Sequence, residues 1–510
     1  MPDLVAIVVV CLALLGVYAW HLQGEFLAWD DDQFIVNNPH VAQLSAENVI
    51  WAFSGIRFDT YQPLQFISYM VDGSLWCHQV FACRLHSLVV FVVAACLLFF
   101  LLRRHGFSSL ASLLGTLVFA LAPGRVESVI WVSARKDVLL LLLVIAVWHV
   151  HLLNPQSRKR KIAVWGVEYV LFVLALLSKA SAFVLPVIFI VMDMSWYGVR
   201  LKQTLFRNAF PLLLCLFYAV FLPLLWQQAN LINIQISDGI PERIGLVYWS
   251  LERYIISTVF PFWLSPLYAA PDDSLLRIAF ISGGVASVAI AIILFFLLKR
   301  HLMDLKWPGL LLLFLVAIAP YLNIVPMYYL VADRYLLIPS LALALGTALL
   351  IHQAEERIPG KWLVLLTAIA LTWIAANGIS ASLYAGKWRD SLTFFGTAAA
   401  RQPHSFWSQM KYGEVLRLNG QYQRAEVAYR NARKIRPLSS SAMGGVFWCT
   451  FEQDCMAQHR RCRDAQDVTA FLIVHGSDVK TLQGLYQRLA NAGFTNSAAV
   501  VEQRLAEMGH

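Results

Sequence analysis

About eleven stretches of this chain are apolar for long enough to cross a hydrocarbon layer, for which a helix needs roughly 20 apolar residues. They run over 4–20, 85–102, 109–122, 138–153, 163–178, 181–197, 208–226, 276–298, 309–321, 334–351 and 362–380. Hydrocarbon offers no water to the backbone, so each N–H and C=O must pair within the protein, and helices meet that condition segment by segment. The pattern therefore predicts an all-α, polytopic membrane helix bundle. A further stretch, 244–265, holds Glu252 and Arg253 and reads as an interfacial or re-entrant helix. Composition agrees: 59% of residues are hydrophobic and 14% charged, outside the range of soluble domains.

The net charge of +9 does not point to nucleic acid, because the basic residues sit in short clusters between apolar runs and not on one face. Their placement sets an orientation instead. Arg103-Arg104, Arg158 to Lys161, Arg200 with Lys202 and Arg207, Lys299-Arg300 with Lys306, and Arg357 with Lys361 all fall in alternate loops, as the retention of basic loops in the cytoplasm requires. The N-terminus is then cytoplasmic. Loops 21–84, 123–137, 227–275 and 322–333, the turn at Ser178-Lys179-Ala180, and everything after about 381 lie on the outer side. The first apolar stretch has neither a basic leading segment nor a small-residue cleavage site, so it reads as a retained helix and not a cleaved signal. The expected organisation is a membrane domain over 1–380 and an extracytoplasmic helical domain over 381–510.

That soluble tail holds one readable repeat. Over 406–439, Gly413, Gly420, Tyr422, Ala425, Tyr429, Ala432 and Pro437 stand at the spacings of a tetratricopeptide repeat, in which small residues let two antiparallel helices approach. One repeat cannot bury its apolar face, so helices from 440–510 are expected to pack on it as degenerate repeats or a cap. Such a tail serves either as a scaffold or as a peptide-binding surface. Of the eight cysteines, Cys77 and Cys83 share the first outer loop and Cys449, Cys455 and Cys462 cluster in the tail, positions that permit disulfides without fixing a pairing. No matching Cys or His pair makes the trio a zinc site.

Groups able to do chemistry concentrate in the outer loops. Trp29-Asp30-Asp31-Asp32 places three adjacent carboxylates just beyond the first span. Their mutual repulsion raises at least one pKa, as general-base work requires, unless a cation or metal answers them; the alternative is a solvated acidic loop. Glu127, Arg135, Lys136, Asp137, Lys179 and Arg334 lie in or beside other outer loops. An ionisable residue at the edge of hydrocarbon is a functional candidate by default, although Lys179 and Arg334 also suit interface anchors whose stems run along apolar surface. Acids on one loop and cations at helix ends are what an enzyme needs to hold a phosphate while a carboxylate activates a hydroxyl.

Read in order, Phe26-Leu-Ala-Trp-Asp-Asp-Asp-Gln-Phe-Ile-Val-Asn-Asn-Pro-His-Val, Tyr61-Gln-Pro-Leu, Val126-Glu-Ser-Val-Ile-Trp-Val-Ser-Ala-Arg-Lys-Asp, Leu177-Ser-Lys, Ala332-Asp-Arg-Tyr, and Lys387-Trp388-Arg-Asp with the repeat resemble the bacterial relatives of the transmembrane, tetratricopeptide-containing O-mannosyltransferases. The resemblance spans about residues 20 to 440. It implies a C-type glycosyltransferase fold in the bacterial inner membrane, and transfer of a sugar from a polyprenyl-phosphate carrier to an acceptor on the extracytoplasmic face. Carried over, the family's acidic pair falls on Asp30 and Asp31, with Asp31 first and Asp30 next as base or metal-organising residue, Asp32 as a third carboxylate, and Glu127 as the second-loop acid. Arg135, Lys136, Lys179 and Arg334 fall where the carrier phosphate binds, with Tyr61 and Arg125 as further substrate contacts. Relatives commonly have His-Pro-x-His before the glutamate, whereas this chain has Ala122-Pro123-Gly124-Arg125, so contacts made by those histidines are missing. A divalent metal, Mg or Mn, held by Asp30 to Asp32 stays open.

A carrier phosphate is a good leaving group, so one base and two cations suffice, and a single displacement inverts the anomeric centre. The acceptor is left open among a protein or peptide, a pilin, a glycolipid and a surface polysaccharide; the repeat tail favours a polypeptide. Two other classes compete. A transporter or flippase of a lipid-linked sugar would show related halves and midplane charges, and a non-catalytic scaffold would only present the repeat domain.

Overall fold

The computed structural model describes residues 2–58, 60–153, 155–228, 239–262, 264–299, 304–324, 327, 329–437 and 439–451, with 482–483, 486–487, 490–491 and 495–507 of the tail. Among these residues every regular element is helical, apart from a short antiparallel bridge between Arg57 and Thr60. The chain divides into two compact units, one of residues 1–264 with 271–390 and one of residues 265–270 with 391–510.

The first unit opens with α1 (Asp3–Tyr18), followed by α2 (Ala46–Phe53) and α3 (Pro63–Trp76) within the long first loop. α4 (Val80–Arg104) returns across the bundle, and α5 (Ser109–Ala120) leads into α6 (Val126–Ile130). Next come α7 (Arg135–His151), α8 (Arg158–Ser178), α9 (Leu185–Tyr197), α10 (Leu201–Arg207), α11 (Ala209–Gln228) and α12 (Ile240–Val259). α13 (Asp273–Lys299), α14 (Lys306–Ile318), α15 (Leu341–Arg357) and α16 (Gly360–Ala385) complete it. Local chemistry sets several starts. Ser45, Ser108 and Ser157 each accept a backbone N–H two or three residues into α2, α5 and α8, at 3.2, 3.0 and 3.3 Å, satisfying a donor that the first helical turn leaves open. Pro63 begins α3, where its missing N–H costs nothing.

Six helices are long and apolar enough to cross a membrane: Asp3–His21, Val80–Arg104, Arg158–Ser178, Ala180–Tyr197, Asp273–Leu297 and Gly360–Trp388. A seventh span results if Ser109–Ala120 and Pro123–Ile130, bent by 59° at their junction, are one broken span. Pro123 explains the bend, because it removes a backbone donor and its ring clashes with the preceding turn. Several long apolar helices make this a membrane protein. Of the four other expected stretches, three form helices shorter than a span, and 208–226 falls on α11, a helix of 20 residues. The 138–153 stretch forms α7 and the 334–351 stretch forms α15, each of 17 residues; 309–321 lies within Lys306–Tyr321. The first turn of α7 is Arg135, Lys136 and Asp137, so its apolar part is shorter than the helix, and α15 starts only at Leu341 because Asp333–Leu336 is wound as a 3-10 turn. α12, at the expected interfacial stretch, is amphipathic and packs along α13.

Close helix approach rests on glycine. A Cβ at Gly115 of α5 would come to 2.5 Å from the Ala344 carbonyl oxygen of α15 and 3.2 Å from Ala348 Cβ, so the two backbones touch only because that position lacks a side chain.

In the second unit α17 (Ser391–Arg401), α18 (Phe406–Leu418), α19 (Tyr422–Ile435) and α20 (Ser440–Phe451) follow one another, with a final helix at Thr495–Glu507. Gly420 turns α18 into α19 with φ +69°, a left-handed conformation natural to glycine. The Tyr429 ring lies between Gly413 and Gly445, whose added Cβ atoms would approach it to 2.9 and 2.5 Å. Cys449 is buried beside Leu416 and Tyr429; Cys455 and Cys462 lie outside the described residues.

Gly115→Val is expected to force α5 from α15 and to lower stability by about 1–3 kcal/mol. A detergent unfolding curve checks this, and an unchanged midpoint would show that the two helices do not depend on the contact.

Candidate functional site

The residues after the first span are held by one guanidinium. Arg84 of α4 is buried and donates to four backbone carbonyls: His21 and Gln23 at 3.1 and 3.0 Å, Glu25 at 3.0 Å, and Trp388 at 2.9 Å. Glu25 N–H also donates to the Arg389 carbonyl at 2.9 Å. The start of the first loop is thereby fixed against α4 and the end of α16. Gly24 is required here, since a Cβ on it would lie 2.3 Å from the Arg389 oxygen.

Beyond this clamp, Asp31 joins the first loop to the second. Its carboxylate accepts Leu27 N–H at 3.0 Å on one oxygen, and Ser133 N–H at 3.0 Å together with the Ser133 hydroxyl on the other. Asp31 is 1% exposed. Burial pushes its carboxyl up to about 6, against the pull of those hydrogen bonds and of Arg84. Asp32 opens a short π-helical turn, Asp32–Val36, a rare wide turn that is frequent at functional sites.

The second loop and the segment before α15 contribute a buried ion pair. Glu127 accepts Arg334 N–H at 2.9 Å and pairs with the Arg334 guanidinium. That guanidinium also lies over three rings, Trp131 at 5.3 Å, Tyr329 at 5.2 Å and Tyr335 at 4.8 Å from the centroids, a favourable setting for a cation removed from water. Trp29 stacks on Trp131 with centroids 4.4 Å apart, and its indole N–H donates to the Tyr329 hydroxyl at 2.7 Å. An aromatic wall thus borders the acidic loop. Lys179 pairs with Asp137 at 2.5 Å and faces the stacked rings of Tyr321 and Tyr335 at 5.1 and 5.2 Å.

Matching these partners leaves two charged groups uncommitted. The Asp30 carboxylate accepts no hydrogen bond among the described residues; burial pushes its pKa up, while the positive charges of Lys136 and Arg334 pull it back. Lys136 makes no ion pair among the described residues, and its amino group lies 5.5 Å from the centre of the Phe34 ring. Both are half-buried. Chemically this is a carboxylate free to take a proton, next to a cation free to bind an anion, with Arg334 and the Lys179–Asp137 pair behind them.

The remaining expected residues are placed elsewhere or otherwise engaged. Arg135 is fully buried, paired with Asp72 and donating to Ser87 Oγ at 3.1 Å and the Cys83 carbonyl at 2.7 Å; its donors knit α3, α4 and α7. Arg125 donates to the Phe119 carbonyl at 3.0 Å and to Ser340 Oγ, which ties the bent helix pair to the residues before α15. Tyr61 donates to the Phe53 carbonyl at 3.4 Å, beside α2. A metal held by three aspartates finds no matching geometry: among the described residues no three His, Cys, Asp or Glu side chains converge, and both oxygens of Asp31 accept protein donors. Cys77 and Cys83 are free thiols, the first exposed and the second buried beside Arg135.

Sequence reading passed over Arg84, Ser133 and Asp72. Asp72 carried a usable signal, since it is a lone acid in the apolar run of α3 and so implies a buried cationic partner. Nothing local marks Ser133, whose role depends on a partner 102 residues away.

Two outcomes test this geometry. The Asp31 carboxyl is held above its ordinary value, so the fold favours the protonated form; that contribution is complete below the ordinary carboxyl range and is lost as pH rises through about 6. The wild-type unfolding midpoint is expected to fall across that interval, and the non-titrating Asp31→Asn should lack this component. Glu127→Ala, which strands the buried Arg334 charge, is expected to cost about 3–5 kcal/mol in the same measurement.

Compared with known proteins, the chain matches no family model, no curated protein and no solved structure, so the arrangement of its own side chains is what bears on function.

Proposed function

We propose that this chain is an integral-membrane glycosyltransferase of the C-type fold, which moves a sugar from a polyprenyl-phosphate carrier to an extracytoplasmic acceptor, with protein O-glycosylation the favoured case. The observation that carries the proposal is the uncommitted pair formed by Asp30 and Lys136 just beyond the first span, backed by Arg334 and the aromatic wall. In this reading Lys136 holds the carrier phosphate. Asp30 takes the proton of the acceptor hydroxyl while that oxygen bonds to the anomeric carbon, and the bond from that carbon to the phosphate oxygen breaks with its electron pair leaving on phosphate. The anomeric centre inverts.

The expected order of the two aspartates reverses. Asp31 is occupied by three donors and nearly inaccessible, which suits a residue that fixes the loop, whereas Asp30 meets the requirement that a base reach its proton. Lys179 and Arg334, each paired with a carboxylate, supply the positive field without direct ligation. The C-terminal helices are read as a tetratricopeptide-like domain on the outer side, where a concave helical surface suits a polypeptide acceptor. A second reading, a flippase of the same lipid-linked sugar, draws on the bent α5–α6 pair and on the buried cluster of His151, Glu168, Asp193 and Arg207 inside the helix bundle, features that transporters also use.

Asp30→Asn is expected to lower transfer by about 100-fold or more while the protein still inserts and unfolds normally. Lys136→Met is expected to weaken donor use by roughly tenfold or more. Both are read by following loss of the lipid-linked sugar and gain of mass on acceptors in membranes. Wild-type protein that carries lipid-linked sugar across the bilayer without transferring it would replace this proposal with the flippase reading, and full activity in Asp30→Asn would remove Asp30 from the chemistry.

A further inference from the structure

Cys11 of α1 and Cys96 of α4 lie with their sulfur atoms 3.8 Å apart, and both are free, partly exposed thiols. Each sits well inside a helix long and apolar enough to span a membrane. At 1.5 Å of rise per residue, Cys11 is roughly 12 Å from the Asp3 end of α1. Neighbouring residues on the same two helices, Leu12 and Leu15 on α1 and Val89, Val93 and Phe100 on α4, are exposed, so lipid reaches the flanks of the pair.

The register of the two helices is fixed on both sides of the sulfurs. At one end Arg103 of α4 pairs with Asp3 of α1 at 3.1 Å; at the other, Arg84 of α4 donates to the His21 carbonyl just after α1 at 3.1 Å. The contact between the thiols is therefore held in place and does not depend on sliding. A disulfide needs the sulfurs at ~2.04 Å, which side-chain rotation and a small helix approach can supply.

We infer that Cys11 and Cys96 form a redox-active dithiol within the hydrocarbon layer, open to apolar two-electron oxidants dissolved in lipid and closed to charged oxidants in water. With an organic hydroperoxide of the lipid phase, the two S–H bonds and the O–O bond break and one S–S bond forms. The peroxide is reduced to an alcohol and water, which carry away the two thiol protons, and both sulfurs are oxidised. The product is a covalent strap between α1, which leads into the acidic loop, and α4, which clamps the start of that loop.

The test uses the full chain in its native membrane. Membranes are treated with cumene hydroperoxide or, separately, with glutathione disulfide, and remaining thiols are blocked with N-ethylmaleimide before digestion and mass spectrometry. The hydroperoxide is expected to give a reducible cross-link between the Cys11 and Cys96 peptides, with both residues lost from alkylation together, and glutathione disulfide is expected to leave them reduced. Cys11→Ser and Cys96→Ser should each abolish the cross-link. Continued independent alkylation of both thiols after hydroperoxide, or cross-linking to other cysteines instead, would overturn the dithiol. Equal oxidation by glutathione disulfide would overturn its placement in lipid.

Discussion

The carboxylate of Asp31 is the joint on which the end of the bundle carrying the first loop depends. It gathers donors from its own loop and from Ser133, two segments that also pack through Trp29 on Trp131 and through Phe34, Ile35 and Val132. The joint sits in the loop whose Trp29 stacks on Trp131 and whose Asp30 feels the positive charge of Lys136. A carboxylate in so enclosed a position is expensive to ionise, and three donors directed at it are what make the position tenable. One aspartate shapes the site so that its neighbour can remain unoccupied.

The same logic recurs with the charges behind the joint. Arg334 answers Glu127, Lys179 answers Asp137 and Arg135 answers Asp72, each pair joining different helices or turns. Truncating one partner of such a pair is far more damaging than the net worth of the pair suggests, because the other charge is left without compensation. These pairs therefore hold rigid positions, and a rigid background is what gives the uncommitted Asp30 and Lys136 a defined separation.

How much of this was legible beforehand differs from residue to residue. The helices were readable from apolar runs, and the acidic and basic groups of the loops beyond them were readable as a set. Their division of labour was not. Arg135 and Lys136 are adjacent and equally basic in the sequence, yet successive residues on a helix point about 100° apart. One therefore enters the core toward Asp72 and the other faces Phe34. Likewise Asp30 and Asp31 differ only in which way the chain turns before the π-helical segment. Periodicity also overcounted spans, since it measures apolar length and is blind to charged first turns such as that of α7 and to 3-10 winding such as that before α15.

The Arg84 clamp has a consequence for the order in which the molecule is made. Its four acceptors come from residues 21, 23 and 25, and from residue 388. Synthesis is vectorial, so the first three are available as soon as the opening helices have been inserted, whereas the fourth exists only after α16 has left the ribosome. The acidic loop must wait, with a buried guanidinium short of a partner, through the insertion of every helix between α4 and α16. The site is therefore completed last although its carboxylates are translated first, and a nascent chain carries no finished acid and cation pair until its membrane part is whole.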